Sequence, residues 1–355
     1  MKYHLYLLFI FISALALAQN KPLKLFPASD PLIRYVGRFE IKSHDLPRVW
    51  TAGAYMEVRF KGKRCEVLIN DEVMYGKSHN YLEIVVNNKK PYRIKTTGKT
   101  NVISIPDSLL NDGANTLLIC KDTETHIGYI EFAGIRCAQL LPLKHQPKHK
   151  IEYYGDSITS GAGMDLSEIP CDKGEWYDQH NAYMTYGART ARNLDADWQL
   201  TSVAGIGLVH SCCDMKVTMP QVYDKLYLRN DSLGWDFKRY QPDVVTICLG
   251  QNDGVQDSTL FCGAYVKFID TLRSKYPNAD IVCLTSPMAD EKLTPVLKRY
   301  LIAITAYENS KGDDKVSNYF FSKRYSSGCG THPDLAEHEL IANELTAYIK
   351  KLKDW

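Results

Sequence analysis

The sequence predicts an α/β protein in which a three-layer αβα domain, a parallel sheet with helices on both faces, follows an all-β sandwich. Three observations carry that expectation. From about Tyr35 to Ile135 apolar residues recur mostly at every second position, as in strands with one buried face. From Ile151 onward short continuous apolar runs alternate with helical patterns, as in a buried parallel sheet joined by crossover helices. Between the two regimes Pro142 to Lys150 is rich in proline, histidine and lysine and poor in apolar residues, which reads as a linker.

The chain has 355 residues, 45% apolar and 24% charged, enough core-forming material for one large domain or two ordinary ones. At its start, Lys2 precedes an apolar run from Leu5 to Leu17 that closes on Ala16-Leu17-Ala18, a small-x-small cleavage pattern. Residues 1–18 therefore read as a signal peptide cut after Ala18, and the protein as secreted or periplasmic. The run is shorter than the roughly 20 residues that span a bilayer, so membrane insertion is not expected. Lys+Arg total 43 against 41 Asp+Glu, and one of the cations, Lys2, lies in the leader. Such a balance offers no field for phosphate backbones or anionic lipids, which argues against nucleic acid and membrane surfaces as partners.

In the β-rich half, assigned to 22–141, Met56, Val58 and Phe60 alternate with Glu57 and Arg59, and Cys65, Val67 and Ile69 continue the pattern. Further strands are expected at Tyr81 to Val86, Asn101 to Ile105, Thr116 to Cys120 and Ile127 to Phe132, separated by turn clusters such as Asn111-Asp112-Gly113. After the linker at 142–150, the α/β domain occupies 151–355. Its strands are expected at Ile151 to Tyr154, Trp198 to Ala204, Val244 to Leu249, Ile281 to Leu284 and, more weakly patterned, Val316 to Phe321. Helices are expected at Ala182 to Leu194, Tyr265 to Tyr276, Thr294 to Glu308 and Leu335 to Leu352.

Functional groups of an open parallel sheet collect beyond the carboxyl ends of its strands. The first three strands lead into Gly155-Asp156-Ser157-Ile158-Thr159, Ala204-Gly205-Ile206-Gly207 and Gly250-Gln251-Asn252-Asp253. A serine at a strand-to-helix turn can project its hydroxyl into the crevice, which makes Ser157 the candidate nucleophile. The Ser157 N–H, the Gly205 N–H and the Asn252 amide form a candidate oxyanion hole. The base is sought in Gly328-Cys329-Gly330-Thr331-His332-Pro333, before the last helix, where His332 is the candidate. Each turn alone is ordinary, and a single His-Pro is close to noise; their joint order is specific. Asp156 and Asp253 are expected to bond the backbone of their own turns. Trp176 and Tyr177, in the long loop after the nucleophile, are candidate sugar-binding aromatics, with loop packing as the alternative. Trp235 is expected to fill core.

The 10 cysteines lack the dense spacing of a disulfide scaffold, and the sequence leaves their pairing open. There is no C-x-x-C, and His210 beside Cys212 and Cys213 has no second ligand pair, so a thiol pair is expected there rather than zinc. No metal and no cofactor is expected: histidine activates the serine, and fixed dipoles meet the charge. Gly161-Ala162-Gly163 is not a dinucleotide-binding G-x-G-x-x-G.

With Ser157, Gly205, Asn252 and His332 in this order, the chain resembles the SGNH (GDSL) hydrolase superfamily. More narrowly, the two-domain order, the stretches Gly155 to Gly163, Pro242 to Asp253 and His332 to His338, and the closing Trp355 resemble carbohydrate esterase family 2. The resemblance implies a flavodoxin-like SGNH domain after a jelly-roll-like sandwich, and deacetylation of acetylated oligo- or polysaccharides such as xylan or glucomannan. Two rival readings are a lipid or aryl esterase and a carbohydrate-binding protein with a vestigial site. The chain departs from the pattern in one respect. SGNH enzymes commonly carry an aspartate three residues before the histidine, where this chain has Cys329, and family 2 members often have aspartate and tryptophan where it has Gly330 and Thr331. A main-chain carbonyl near Cys329 or Gly330 is the expected partner of the second ring nitrogen. Asp334, expected as a charge at a helix start, is the alternative.

Overall fold

The structure, a computed structural model, describes residues 23–41, 46–229 and 233–355, so the expected leader lies outside the described residues. The first half forms nine strands: β1 (Lys24–Pro27), β2 (Ile33–Val36), β3 (Arg48–Val49), β4 (Tyr55–Asp71), β5 (Tyr81–Val86), β6 (Tyr92–Lys95), β7 (Thr100–Ser104), β8 (Ala114–Lys121) and β9 (Ile130–Leu141). All their pairings are antiparallel. Strand β4 is the spine. Its first part pairs with β2 and β8 and its last part with β7 and β9, and the register shifts between Lys61 and Cys65. Through this one long strand all nine join a single hydrogen-bonded network, whereas separate short strands were expected. The alternation read in the sequence sends Val58, Phe60, Val67 and Ile69 into a core shared with Leu82, Ile84, Ile119 and Ile135. The strand expected at Ile127 to Phe132 starts later, because Ile127 and Gly128 spend their N–H groups locally, on Glu124 O and Thr125 O, in a 3-10 turn.

The second half runs β10 (His149–Gly155), α1 (Ser157–Ser160), α2 (Tyr186–Asn193), β11 (Ala196–Ser202), α3 (Met219–Val222), β12 (Val244–Cys248), α4 (Ser258–Lys275), β13 (Asp280–Leu284), α5 (Leu293–Ser310), β14 (Val316–Tyr319) and α6 (Leu335–Lys353). The strands pair in parallel in the order β11-β10-β12-β13-β14. Neighbouring residues along each strand face opposite ways, so both sheet faces need cover. Ile151, Tyr153, Val282 and Leu284 pack with Tyr186, Ala188 and Ala191 of α2 and Ile341, Leu345 and Ile349 of α6. Tyr154, Val245, Ile247 and Ile281 pack with Phe261, Tyr265 and Leu272 of α4 and Leu297, Leu301 and Ile304 of α5. Helix α2 begins later than expected because Thr185 caps it, accepting from the Ala188 N–H. Helix α4 begins earlier, where Asp257 accepts from Leu260 N–H.

From β10 the chain moves to one flank for β11 and to the other for β12. The loops after these strands therefore diverge at β10 and open a crevice at their carboxyl ends. Strand β10 starts at His149, inside the stretch expected as linker, and His149 stacks on Trp355 with ring centroids 3.8 Å apart.

The two halves are bonded to each other. Arg38, wholly buried, donates to the carbonyls of Tyr223 and Lys225, both at 2.7 Å, and to Glu152 Oε1 at 3.1 Å. Glu152, on β10, also accepts from Gln199, Thr201 and the Tyr276 hydroxyl, so this buried pair is hydrogen-bonded on both sides. Tyr55 donates to Asp197 at 2.6 Å, and Trp198 Nε1 to Gly53 O at 2.9 Å.

Candidate active site

Ser157 is the first residue of the four-residue helix α1, directly after β10. Asp156 caps that turn, its Oδ1 accepting from Ile158 N–H at 3.1 Å. The turn is thus fixed by a side chain that is itself out of solvent, and burial pushes the Asp156 carboxyl up to about 7, against the pull of the Ile158 hydrogen bond. Beyond the serine, Gly163 has φ +68°, and a Cβ there would lie 2.8 Å from the Cys329 carbonyl oxygen. Glycine thereby lets the loop after the serine touch the loop that bears His332.

His332 Nε2 lies 2.8 Å from Ser157 Oγ, and His332 Nδ1 lies 2.9 Å from the Cys329 carbonyl oxygen. A carbonyl can only accept, so Nδ1 carries the proton and Nε2 is free to accept from the serine hydroxyl. Burial holds the imidazole below its ordinary range, opposed by the hydrogen bond to Cys329 and the negative charge of Glu124. Asp334 does not reach the ring in this arrangement. It is the N-cap of α6, accepting from Glu337 N–H at 2.8 Å, while the Glu337 side chain accepts from the Asp334 N–H.

Gly205 follows β11 with φ +84°, where a Cβ would come within 3.1 Å of Cys212 Sγ. Its carbonyl accepts from Cys212 N–H at 2.8 Å, which leaves the N–H as the group it can offer a ligand. Asn252 follows β12, and its Nδ2 donates to Ile206 O at 2.9 Å and to Asp156 Oδ2 at 3.3 Å. Asn252 thereby ties all three expected turns together. Asp253 is a backbone ligand, accepting from the N–H groups of Leu208, Val209 and His210.

The two loop aromatics part ways. Trp176 is 55% exposed, its ring edge-on to Tyr177 and His180. Tyr177 is 2% exposed and its hydroxyl accepts from His79 N–H at 3.3 Å. Tyr177 therefore packs between the halves, the alternative weighed for it, and offers no ring face to a sugar. Trp235 is buried, as expected of a core residue. Cys212 and Cys213 are joined to each other, and Cys171 to Cys329, by disulfides that the sequence left open.

One residue of the site was missed by sequence reasoning. Glu124, from the first half, is buried, and its Oε2 accepts from Ala204 N–H at 2.6 Å, one residue before Gly205. Burial alone would raise its carboxyl. The hydrogen bond from His126, the charges of His126 and His180 and the Ala204 N–H outweigh that and hold it low. The run Lys121-Asp122-Thr123-Glu124-Thr125 holds only polar residues, yet every one of these side chains is buried. No local pattern marks it.

Residues 35–147 match the family described as carbohydrate esterase 2 N-terminal, and residues 153–311 match the GDSL-like lipase/acylhydrolase family. The latter stretch holds Ser157, Gly205 and Asn252 and ends before His332. The cellulase/esterase CelE of Acetivibrio thermocellus is 32% identical over 92% of this chain, which spans 40% of that protein's length. An acetylxylan esterase / glucomannan deacetylase of Cellvibrio japonicus is 26% identical over 92% of this chain and 91% of its own. Among solved structures, a family two carbohydrate esterase from Clostridium thermocellum in complex with cellohexaose matches with a TM-score of 0.81 and 30% identity, covering 91% of this chain and 99% of that one.

Proposed function

The chain belongs to carbohydrate esterase family 2, and from that premise we propose that it is a secreted serine esterase that removes acetyl groups from polysaccharides such as xylan or glucomannan. The observation that carries the reading is the 2.8 Å contact between Ser157 Oγ and His332 Nε2. His332 takes the Ser157 proton as the oxygen attacks the acetyl carbonyl carbon. The N–H groups of Ser157 and Gly205 and the Asn252 amide receive the negative charge that develops on the carbonyl oxygen. Collapse of the tetrahedral intermediate expels the sugar oxygen, which takes its proton from His332 and leaves an acetyl-serine. Water, deprotonated by the same histidine, then releases acetate.

The substrate class is supported by the names of the relatives, acetylxylan esterase and glucomannan deacetylase, and by the cellohexaose bound to the similar structure. Exposed Trp176 is the aromatic face proposed to meet a sugar ring. Export is supported by the leader pattern and by two disulfides, which persist in oxidising compartments.

The test measures acetate release from acetylated xylan, acetylated glucomannan and simple acetylated sugars side by side, for the wild type and Ser157→Ala. We expect release from the polysaccharides and a loss of several orders of magnitude in the variant, with its fold intact. Near-wild-type release by Ser157→Ala overturns the mechanism. Activity confined to long-chain acyl or aryl esters overturns the substrate class.

A further inference from the structure

The acceptor of the His332 Nδ1 proton is a main-chain carbonyl, and main chain cannot adjust as a side chain can. A carboxylate on a rotatable stem can follow the imidazole, whereas a carbonyl is only as well placed as the turn that carries it. This turn is closed on itself, Gly328 N–H donating to His332 O at 2.6 Å, but that closure does not set where the turn sits relative to Ser157. It carries Gly328 and Gly330, and Gly330 and Thr331 both have left-handed φ, 58° and 62°. The Cys329 carbonyl accepts from two groups of one residue, His332 Nδ1 at 2.9 Å and His332 N–H at 3.1 Å, so those bonds tie the turn only to itself.

Two connections reach outside it from the same residue. Cys329 N–H donates to Gly163 O at 2.8 Å, and Cys329 Sγ is bonded to Cys171, 158 residues earlier in the chain. Cys171 lies in a turn that is itself held: Gln179 Nε2 donates to the carbonyls of Ile169, Pro170 and Lys173, and Gln179 O accepts from the N–H groups of Met164 and Asp165. The cross-link therefore runs from the residue that orients the histidine back to the loop that follows Ser157.

We propose that the Cys171–Cys329 disulfide is a positioning element for His332, fixing the Cys329 carbonyl that selects the ring tautomer, so that opening it lowers turnover. The inference rests on the Ser157–His332 dyad reading. Cys171 and Cys329 are positioning residues; neither side chain contacts the reacting atoms.

Three preparations test it: C171S, the double variant C171S/C329S, which leaves no odd thiol, and wild type treated with a water-soluble phosphine. In the last, the phosphine is oxidised to its oxide with an oxygen from water while the disulfide becomes two thiols. Each is assayed for kcat and KM on a chromogenic acetyl ester, well below its melting temperature. A C212S/C213S background removes the second disulfide, so that a phosphine effect there belongs to the Cys171–Cys329 pair. The expected result is a fall in kcat of about tenfold or more with KM unchanged, recovered in the phosphine-treated protein on reoxidation. A staple without a positioning role would lower the melting temperature and leave kcat alone, and wild-type kcat in C171S/C329S and in phosphine-treated protein overturns the proposal. His332→Ala separates this from failure of the dyad. If His332→Ala retains turnover the dyad reading falls, whereas an inactive His332→Ala beside a fully active C171S/C329S removes the disulfide proposal alone.

Discussion

Replacing Asn252 with alanine separates an electrostatic role from a scaffolding one, because the side chain stands in both. Its bond to Ile206 O at 2.9 Å joins two loops, and its longer bond at 3.3 Å goes to Asp156, whose carboxyl burial has pushed up to about 7. The N–H aimed at Asp156 is the one that can turn to a developing oxyanion with little lost in the ground state. Two hydrogen bonds deleted at about 0.5–1.5 kcal/mol each predict a stability loss of roughly 1–3 kcal/mol. At about 2–4 °C per kcal/mol, melting should fall by a few degrees to roughly ten. The same deletion removes one of the three proposed oxyanion donors, and loss of one such donor in a serine hydrolase costs about 2.7–4 kcal/mol of transition-state stabilisation, a hundredfold to a thousandfold in kcat. Turnover of an acetyl ester at 25 °C and the melting curve of the same preparation give the two numbers independently. If melting falls while kcat stays within about threefold of wild type, Asn252 is scaffold and the oxyanion assignment is wrong. If only KM rises, it is a binding residue.

Three other perturbations address the rest of the site. Asp334→Asn keeps a good helix cap, so turnover within about twofold of wild type and a melting point within a degree or two are expected. A thousandfold loss of turnover at unchanged melting would place Asp334 in the proton relay instead. Burial disfavours the His332 imidazolium, so the base form persists to lower pH than for an ordinary histidine, and the acid limb of kcat/KM should lie below pH 6.5. A limb above that value, measured across a buffer series, contradicts the assigned environment. Arg38→Ala leaves Glu152 buried without its cation and should cost about 3–5 kcal/mol in urea unfolding, where an unchanged midpoint would mean the inter-domain ion pair holds nothing.

The α/β half was legible because its signals are local. Each inner strand is a short run of apolar residues, each helix shows one apolar face, and the polar turns fall at strand ends where the parallel-sheet rule seeks them. Ser157 and His332 lie 175 residues apart and still meet, since both sit on loops at the same sheet edge. The sequence also supplied the reason to expect a carbonyl at Nδ1, in the lack of an acid from Ser326 to Thr331. What it hid depends on long-range geometry. Tyr177 looks like a loop aromatic until His79, from the other half, takes its hydroxyl. Cys171 and Cys329 give no pairing signal, because nothing in their neighbourhoods encodes that two distant turns touch. Glu124 sits in a run of polar residues that any local pattern assigns to solvent, and burial of that run is set by docking of the two halves.

That docking bears on how a dyad without an acid could work. In a Ser-His-Asp triad a bonded carboxylate both selects the tautomer and stabilises the imidazolium. Here the two tasks are divided. The Cys329 carbonyl does the first, and being uncharged it does the second less well. Glu124 supplies a negative charge that favours the imidazolium without touching the ring. Among the influences on the ring it is weaker than burial and than the hydrogen bond to Cys329, so it assists the proton transfer without replacing a bonded carboxylate. The same carboxylate is anchored on Ala204 N–H, beside Gly205, so it also fixes the turn that offers an oxyanion donor. Its charge in turn is held by His126, from its own half, and by the Ala204 N–H, from the other. The β-rich half is thereby part of the site's electrostatics as well as its packing, and the esterase chemistry proposed for the α/β half draws on a residue that half does not contain.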